Sequence, residues 1–143
     1  MTGALFAQAT LLKIGDGGGP EVFTTIAEVG EISGPQLKLD TIDVTTHSSP
    51  GGWEELIAGI LRSGEVSFGI NYVPTEATHN NTTGLIKDMR TRTLRHFQLV
   101  FPDGASTTWS FSAYVTGFNP KNPVDGKLSA EVALKISGQP TLA

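Results

Sequence analysis

Short runs of alternating apolar and polar residues recur along the chain, separated by Gly, Pro and Asp. The clearest run is residues 64–73, where every second residue is apolar and would share one face of a strand. The predicted strands are residues 9–14, 22–32, 36–44, 64–73, 94–101, 107–118 and 127–137. This spacing predicts an all-β sandwich or barrel.

Turn and helix signals divide these runs. Residues 15–20 (GDGGGP) and 101–105 (FPDGA) predict turns, and the second of them predicts a hairpin. We expect the stretch 22–32 to bend near Gly30. Residues 83–92 predict one short helix, since residues 80–83 offer N-cap oxygens and Leu85, Ile86 and Met89 form an apolar stripe.

A long, glycine-rich segment, residues 43–59, lies between two strand-like runs. Connections longer than about 12–15 residues are normally functional or disordered. This one contains Trp53 and leads into an apolar cluster that a solvated loop would not need: Leu56, Ile57, Ile60 and Leu61. Such an arm needs a surface to dock on. If the chain's own core does not provide it, another subunit must, so assembly is our leading hypothesis.

Composition limits the alternatives. A chain of 143 residues is expected to form one domain, and it has no run of about 20 apolar residues and no cysteine. The N-terminus lacks the pattern of a signal peptide, so we expect synthesis in the cytoplasm. A net charge of −4 argues against nucleic-acid binding, which usually needs a basic surface.

Candidate chemistry is weak. His47 lies beside Asp43, Ser48 and Ser49, but triad residues normally converge from distant parts of a rigid fold. The three histidines, His47, His79 and His96, show no paired ligand spacing. Residues 15–19 lack the pattern of a phosphate-binding loop. We therefore predict no enzyme, no metal and no cofactor.

Positive charge lies towards the end of the predicted helix, at Lys87, Arg90, Arg92 and Arg95. Cations near a helix C-terminus suit the helix dipole. We interpret this cluster as a solvated basic edge rather than a phosphate site.

Three segments resemble the major tail tube proteins of long, flexible-tailed bacteriophages. Residues 42–74 read IDVTTHSSPGGWEELIAGILRSGEVSFGINYVP and would span a strand, the long loop and the next strand. Residues 94–118 read LRHFQLVFPDGASTTWSFSAYVTGF, and residues 125–138 read DGKLSAEVALKISG. The resemblance covers nearly the whole chain.

The resemblance implies a mainly β fold, a β-sandwich or half-barrel with one short flanking helix and a long inter-strand arm. Type VI secretion tube proteins share this architecture. It also implies hexameric rings that stack into a tube around a tape measure protein, in the virion tail, with tail terminator and baseplate or tip proteins as further partners. The genome would pass through the lumen into the host without specific binding. The resemblance favours a non-contractile tail.

Under this hypothesis residues 1–143 form a single tail-tube-like domain, with an arm at residues 44–62. Residues 1–8 and 138–143 would be further assembly segments. The predicted contacts between rings or subunits are Thr45, His47, Trp53, Glu54, Leu56, Ile57, Leu5 and Phe6. Asp40, Asp43, Glu65 and Glu131, on the polar sides of strands, are predicted to face the lumen.

The alternative is a non-catalytic β-sandwich binding module, for carbohydrate or a receptor. It would need aromatic side chains exposed as a platform, whereas most aromatic residues here are in phase with the core. It also gives no reason for the apolar cluster of the arm.

Overall fold

The structure, a computed structural model, describes residues 3–142. Nine strands dominate it, which confirms the prediction of a mainly β fold. The strands are β1 (Leu11–Gly15), β2 (Phe23–Thr25), β3 (Val29–Ser33), β4 (Lys38–Asp43), β5 (Leu56–Arg62), β6 (Glu65–Asn71), β7 (Arg95–Val100), β8 (Thr108–Lys121) and β9 (Ser129–Leu142). One helix, α1 (Leu85–Arg90), and two 3-10 turns (Ala7–Ala9 and Pro50–Gly52) complete the fold. No helix within residues 3–142 is long and apolar enough to cross a membrane.

Seven strands form one antiparallel sheet in the order β2-β1-β7-β8-β9-β6-β3. The two edge strands, β2 and β3, are consecutive in the chain and only residues 26–28 separate them. Four Cα steps span at most about 14 Å. The sheet must therefore curl until its edges approach each other. Ile26 N–H donates to Leu12 O of β1, and Glu28 O accepts from Asn71 N–H of β6, which ties the link to both sides.

The inside of the curled sheet holds the hydrophobic core. Alternate residues of β6, β8 and β9 are buried there, and the stacked rings of Phe97 and Phe111 lie 5.8 Å apart. Leu85 of α1 is fully buried against this core, and α1 packs against β8. The predicted hairpin of residues 94–118 is confirmed as the β7–β8 pair.

The remaining two strands, β4 and β5, form a separate two-stranded hairpin. The predicted arm at residues 44–62 did not include a strand, whereas β5 occupies the second half of that range. The loop between the strands is residues 44–55. We call residues 38–62 the arm from here on. At its base, a Cβ on Gly34 would lie 2.4 Å from Glu65 O and one on Gly64 would lie 2.3 Å from Gln36 O. Both positions also have positive φ, so glycine is the residue that allows the two chain segments at the base of the arm to approach this closely.

The single strand predicted over residues 22–32 was wrong. It is two strands at opposite edges of the sheet, and the chain turns at residues 26–28 rather than at Gly30. Glu28 takes a positive φ of 59° at this turn, a conformation the sequence did not suggest.

The helix is shorter than the predicted 83–92. Its N-cap is Gly84, which has no side chain to accept a capping hydrogen bond. Asn80 Oδ1 instead accepts from the N–H groups of Thr82, Thr83 and Gly84, so it stabilises the turn before the helix. Leu85 and Met89 of the predicted apolar stripe join the core, whereas Ile86 is half-buried outside it.

A buried ion pair joins α1 to β7 and to the β1–β2 turn. Arg95 Nε donates to Asp88 Oδ1 at 3.0 Å, and Arg95 Nη1 donates to Asp16 O at 3.0 Å. Asp88 is only 1% exposed. Burial raises the pKa of Asp88 above its usual value of 3.8, while the hydrogen bond and charge of Arg95 oppose the shift.

We expect Arg95→Met to cost about 3 kcal/mol at pH 7, because it leaves a buried carboxylate without its cation. The pKa of Asp88 should then rise further. Since the native state would bind more protons than the unfolded state above pH 3.8, stability relative to wild type should recover as the pH falls from 7 to 5. Urea unfolding at both pH values measures this recovery. The control, Arg95→Met with Asp88→Asn, should lose it. A pH-independent difference for the single variant would contradict this account.

Candidate assembly site

The arm exposes most of its apolar side chains. In β4 and β5 every residue except Asp40 and Gly59 is exposed. Trp53 is 77% exposed, Ile60 66% and Leu61 78%. The chain's own core therefore does not cover the apolar cluster of the arm.

Both faces of the arm are apolar. Leu39 is opposite Leu61 and Ile42 is opposite Ile57 in the β4–β5 ladder. Residues 39 and 42 point to opposite faces of β4, because side chains alternate along a strand. A two-stranded hairpin alone is marginally stable in water. Each face of the arm therefore carries apolar side chains that the subunit leaves exposed.

Internal hydrogen bonds order the tip of the arm. Thr45 N–H donates to Asp43 Oδ1 at 2.8 Å, and Glu55 N–H donates to Thr45 Oγ1 at 2.8 Å. Ser49 Oγ accepts from Thr46 N–H at 2.9 Å and donates to Glu55 Oε2 at 3.0 Å. The hydrogen bonds from Thr45 hold the pKa of Asp43 below its usual value. A preorganised tip loses less entropy when it docks.

Two glycines set the direction of Trp53. Gly51 and Gly52 have φ values of 64° and 75°, a left-handed backbone that other residues rarely adopt. A Cβ on Gly51 would lie 2.9 Å from Trp53 Cδ1. The backbone N–H of Trp53 donates to Pro50 O at 3.2 Å. The PGGW sequence therefore presents the indole on the outside of the tip.

The predicted contact residues lie in two places. Thr45, His47, Trp53, Glu54, Leu56 and Ile57 are all exposed on the arm. Leu5 and Phe6 are exposed near the N-terminus and line a groove with β3 and the end of β7. Residues 1 and 2 of the predicted N-terminal segment lie outside the described residues.

The C-terminal tail is not a free segment. Residues 138–142 continue β9 and pair with β8, where Thr141 is opposite Ser110 and Leu142 is opposite Trp109. Residue 143 lies outside the described part. A groove of about 620 Å³ separates this stretch of β9 from the base of the arm.

The four predicted lumen carboxylates do not share one surface. Glu65 and Glu131 lie on the outer face of β6 and β9, where Glu65 is opposite Lys135 and Glu131 pairs with Lys121 at 2.8 Å. Asp40 and Asp43 lie on the arm, on opposite faces of β4. Asp40 Oδ2 accepts from Arg62 Nε at 2.7 Å.

The groups considered for catalysis or metal binding are not brought together. Asp43 accepts from Thr45 and Ser49 donates to Glu55, while His47 is exposed. His79 is buried, where its Nε2 donates to Ala27 O at 2.7 Å and its Nδ1 accepts from Val73 N–H. His96 Nδ1 lies 2.6 Å from Glu21 Oε1. Among residues 3–142 no group of three metal-ligating side chains is found.

Sequence reasoning did not commit to Leu39, Ile42, Ile60 and Leu61 as contact residues, although the structure exposes them. One signal was available. Adjacent apolar pairs, Leu56–Ile57 and Ile60–Leu61, place apolar side chains on both faces of a strand, which a half-buried strand would not do.

A mainly β subunit with a projecting, two-faced apolar arm is typical of a protein that builds an assembly. A model of the lambda phage tail tube protein family matches residues 14–143. The chain belongs to the lambda phage tail tube protein family and is a structural protein of the virion tail. This confirms the resemblance described from the sequence.

Solved structures of tail and injection-system proteins share the fold. A protein from the tail of an empty gene transfer agent particle, refined with C6 symmetry, is 24% identical, with a TM-score of 0.75 over 98% of this chain and 99% of that one. A protein of the native gene transfer agent virion is 21% identical, with a TM-score of 0.74 over 98% and 99%. A protein from the sheath/tube terminator of an extracellular contractile injection system is 14% identical, with a TM-score of 0.72 over 100% and 99%. No curated protein matches the sequence significantly.

The solvent exposure of a side chain predicts how much its truncation to Ala changes the stability of the monomer. Trp53→Ala should change the free energy of unfolding by no more than about 0.5 kcal/mol, because its ring makes few contacts within the subunit. Phe97→Ala, in the core, should cost about 3–5 kcal/mol. Urea unfolding at a concentration below assembly measures both. A loss above about 2 kcal/mol for Trp53→Ala would show that the ring packs within its own subunit.

Proposed function

We propose that the chain forms hexameric rings that stack into a tail tube, and that the arm of each subunit docks onto a subunit of the next ring. The observation that carries this proposal is the arm itself, an ordered hairpin with exposed apolar residues on both faces. The C6 symmetry of the similar gene transfer agent tail supports six subunits per ring.

Three side chains anchor the docked arm in this proposal: Trp53, Leu56 and Ile57. Each is about half exposed or more in the free subunit. Trp is enriched among the residues that dominate binding energy, and truncating such anchors can cost about 2 kcal/mol or more. Thr45, His47 and Glu54 surround these anchors, and Leu5 and Phe6 form a second contact.

The tube is a conduit for the genome. Glu65 and Glu131 lie on a sheet face that also carries small residues such as Ser67 and Ala133. We assign this face to the lumen; Asp40 and Asp43 lie on the arm and are not part of it. The net charge of −4 disfavours adhesion of the polyanion, so DNA can slide through the tube.

The further partners are a tape measure protein inside the tube and terminator and baseplate proteins at its ends. Proteins of a sheath/tube terminator and of a baseplate share the fold, which supports contacts of related geometry at the ends. The subunit has no catalytic role in this proposal, because the candidate triad groups are not combined: Asp43 accepts from Thr45, Ser49 donates to Glu55, and His47 is exposed.

Trp53→Ala combined with Leu56→Ala should abolish tubes while the subunit stays folded, because both side chains are exposed in the free subunit. Negative-stain electron microscopy of concentrated protein reads out hollow tubes of uniform width, and circular dichroism checks the fold. The matched control is Val124→Ala, which truncates an exposed apolar residue on the β8–β9 turn and should leave assembly unchanged.

Tubes of normal yield from the double variant would refute docking through the arm. A wild-type protein that stays as small particles at all concentrations, and that binds a glycan or receptor, would favour the binding-module alternative.

A further inference from the structure

We propose that the arm tip, residues 43–55, docks in the groove between the base of the arm and the end of β9 of a neighbouring copy. We call this recess the basal groove. The inference rests on the proposed assembly through the arm and identifies the surface that receives it. The arm tip is apolar and acidic, whereas the basal groove is apolar and carries lysines.

The basal groove is one recess of about 620 Å³ between two parts of the subunit. The apolar side chains that line it come from the arm and from the sheet: Leu37, Ile60, Leu61, Trp109, Ile136 and Leu142. Ile136 belongs to the core and Trp109 packs against it, whereas Leu37, Leu61 and Leu142 are more than half exposed. Pockets that bind small organic groups have volumes of about 300–1,000 Å³, so this recess can hold an indole ring.

Lysine side chains give the basal groove its charge. Lys38 and Lys135 both line it and both are exposed. Within residues 3–142 neither lysine has an ion-pair partner, whereas the third cation of the lining, Arg62, is paired with Asp40 at 2.7 Å. Lys135 is opposite Glu65, the first residue of β6, so it lies at the end of the sheet where the arm joins.

The arm tip has the complementary charge. Residues 43–55 contain Asp43, Glu54 and Glu55 and no Lys or Arg. Asp43 and Glu55 accept hydrogen bonds within the tip. The carboxylate of Glu54 is exposed, has no partner in the described part of the chain and directly follows Trp53. Complementary charges of this kind steer the encounter of two surfaces and fix their orientation.

The arm tip cannot reach the basal groove of its own subunit. Leu56, at the tip end of β5, and Leu61, in the groove, are five residues apart on one strand. At about 3.4 Å per residue their Cα atoms are about 17 Å apart, and the paired hairpin holds the tip at that distance. The arm tip and the basal groove are therefore two different surfaces, and contacts between unlike surfaces can continue from copy to copy, as a stack of rings requires.

The other exposed apolar segments lack the matching charge. Residues 1–12 contain no Asp or Glu that could pair with the lysines. Val124, on the β8–β9 turn, is flanked by Lys121 and Lys127, which outnumber Asp125. The arm tip combines an exposed indole with an excess of negative charge, so we assign the basal groove to it.

In the docked state Trp53 enters the basal groove and Glu54 pairs with Lys38. A lysine near the face of an indole adds a further attraction. The contact covers Ile60 and Leu61 of the receiving arm together with the tip of the arm that docks.

Charge exchange tests the pairing. Glu54→Lys and Lys38→Glu, each alone, should raise the concentration at which tubes form by at least about tenfold, because each places like charges together. The two changes in one chain should return it to within about threefold of wild type. Pelleting of tubes over a concentration series, with negative-stain images of the pellet, measures this. The matched controls, Asp125→Lys and Lys127→Glu on the exposed β8–β9 turn, should have little effect.

A large side chain in the basal groove tests the site without a change of charge. Gln139 is exposed and lines the groove, so Gln139→Trp should fill it and raise the tube-forming concentration by at least about tenfold. Val124→Trp, on the β8–β9 turn, should leave assembly unchanged. The urea unfolding midpoints of both variants should match wild type, because both positions are exposed.

Normal assembly of Gln139→Trp, or no rescue in the double charge variant, would overturn the basal groove as the docking surface. The proposed function would stand in that case if Trp53→Ala with Leu56→Ala still abolished tubes. If that variant also assembled normally, docking through the arm would fail together with its receiving surface.

Discussion

The constraint on which this subunit depends is the solvent exposure of its arm. Covering one Leu or Ile side chain contributes roughly 1.5–3 kcal/mol, and the arm exposes several on each face. A two-stranded hairpin cannot bury both of its own faces. The free subunit therefore holds unsatisfied apolar surface that only another molecule can cover, and the family to which the chain belongs forms tubes. The exposed apolar residues that are unfavourable in the free subunit are therefore the ones that favour assembly.

The rest of the fold makes this exposure tolerable. The curled sheet has its own core, which contains no residue of the arm, and the Asp88–Arg95 pair joins the helix to it. Glycines at 34 and 64 let the chain leave and re-enter the sheet at one point. Hydrogen bonds among Thr45, Ser49 and Glu55 order the tip before docking. Stability and association are thereby assigned to different parts of the chain.

Sequence reasoning identified strands that bury one face and expose the other, such as β6, because apolar and polar residues alternate along them. It placed Trp53, Leu56 and Ile57 at an exposed surface because a loop has no reason to carry them. It missed β5, whose residues are apolar on both faces and so show no alternation. It also joined β2 and β3, because the turn at Glu28 contains neither Gly nor Pro. The positive φ of Arg92, 57°, cannot be read from a sequence that has no Gly or Asn at that position.

The most direct test of the central claim is a cryo-electron microscopy reconstruction of assembled tubes at a resolution that shows side chains. The account predicts that both faces of the arm are covered by neighbouring subunits and that Trp53, now 77% exposed, becomes buried. An arm that projects into solvent or into the lumen, while rings join through other surfaces, would contradict it.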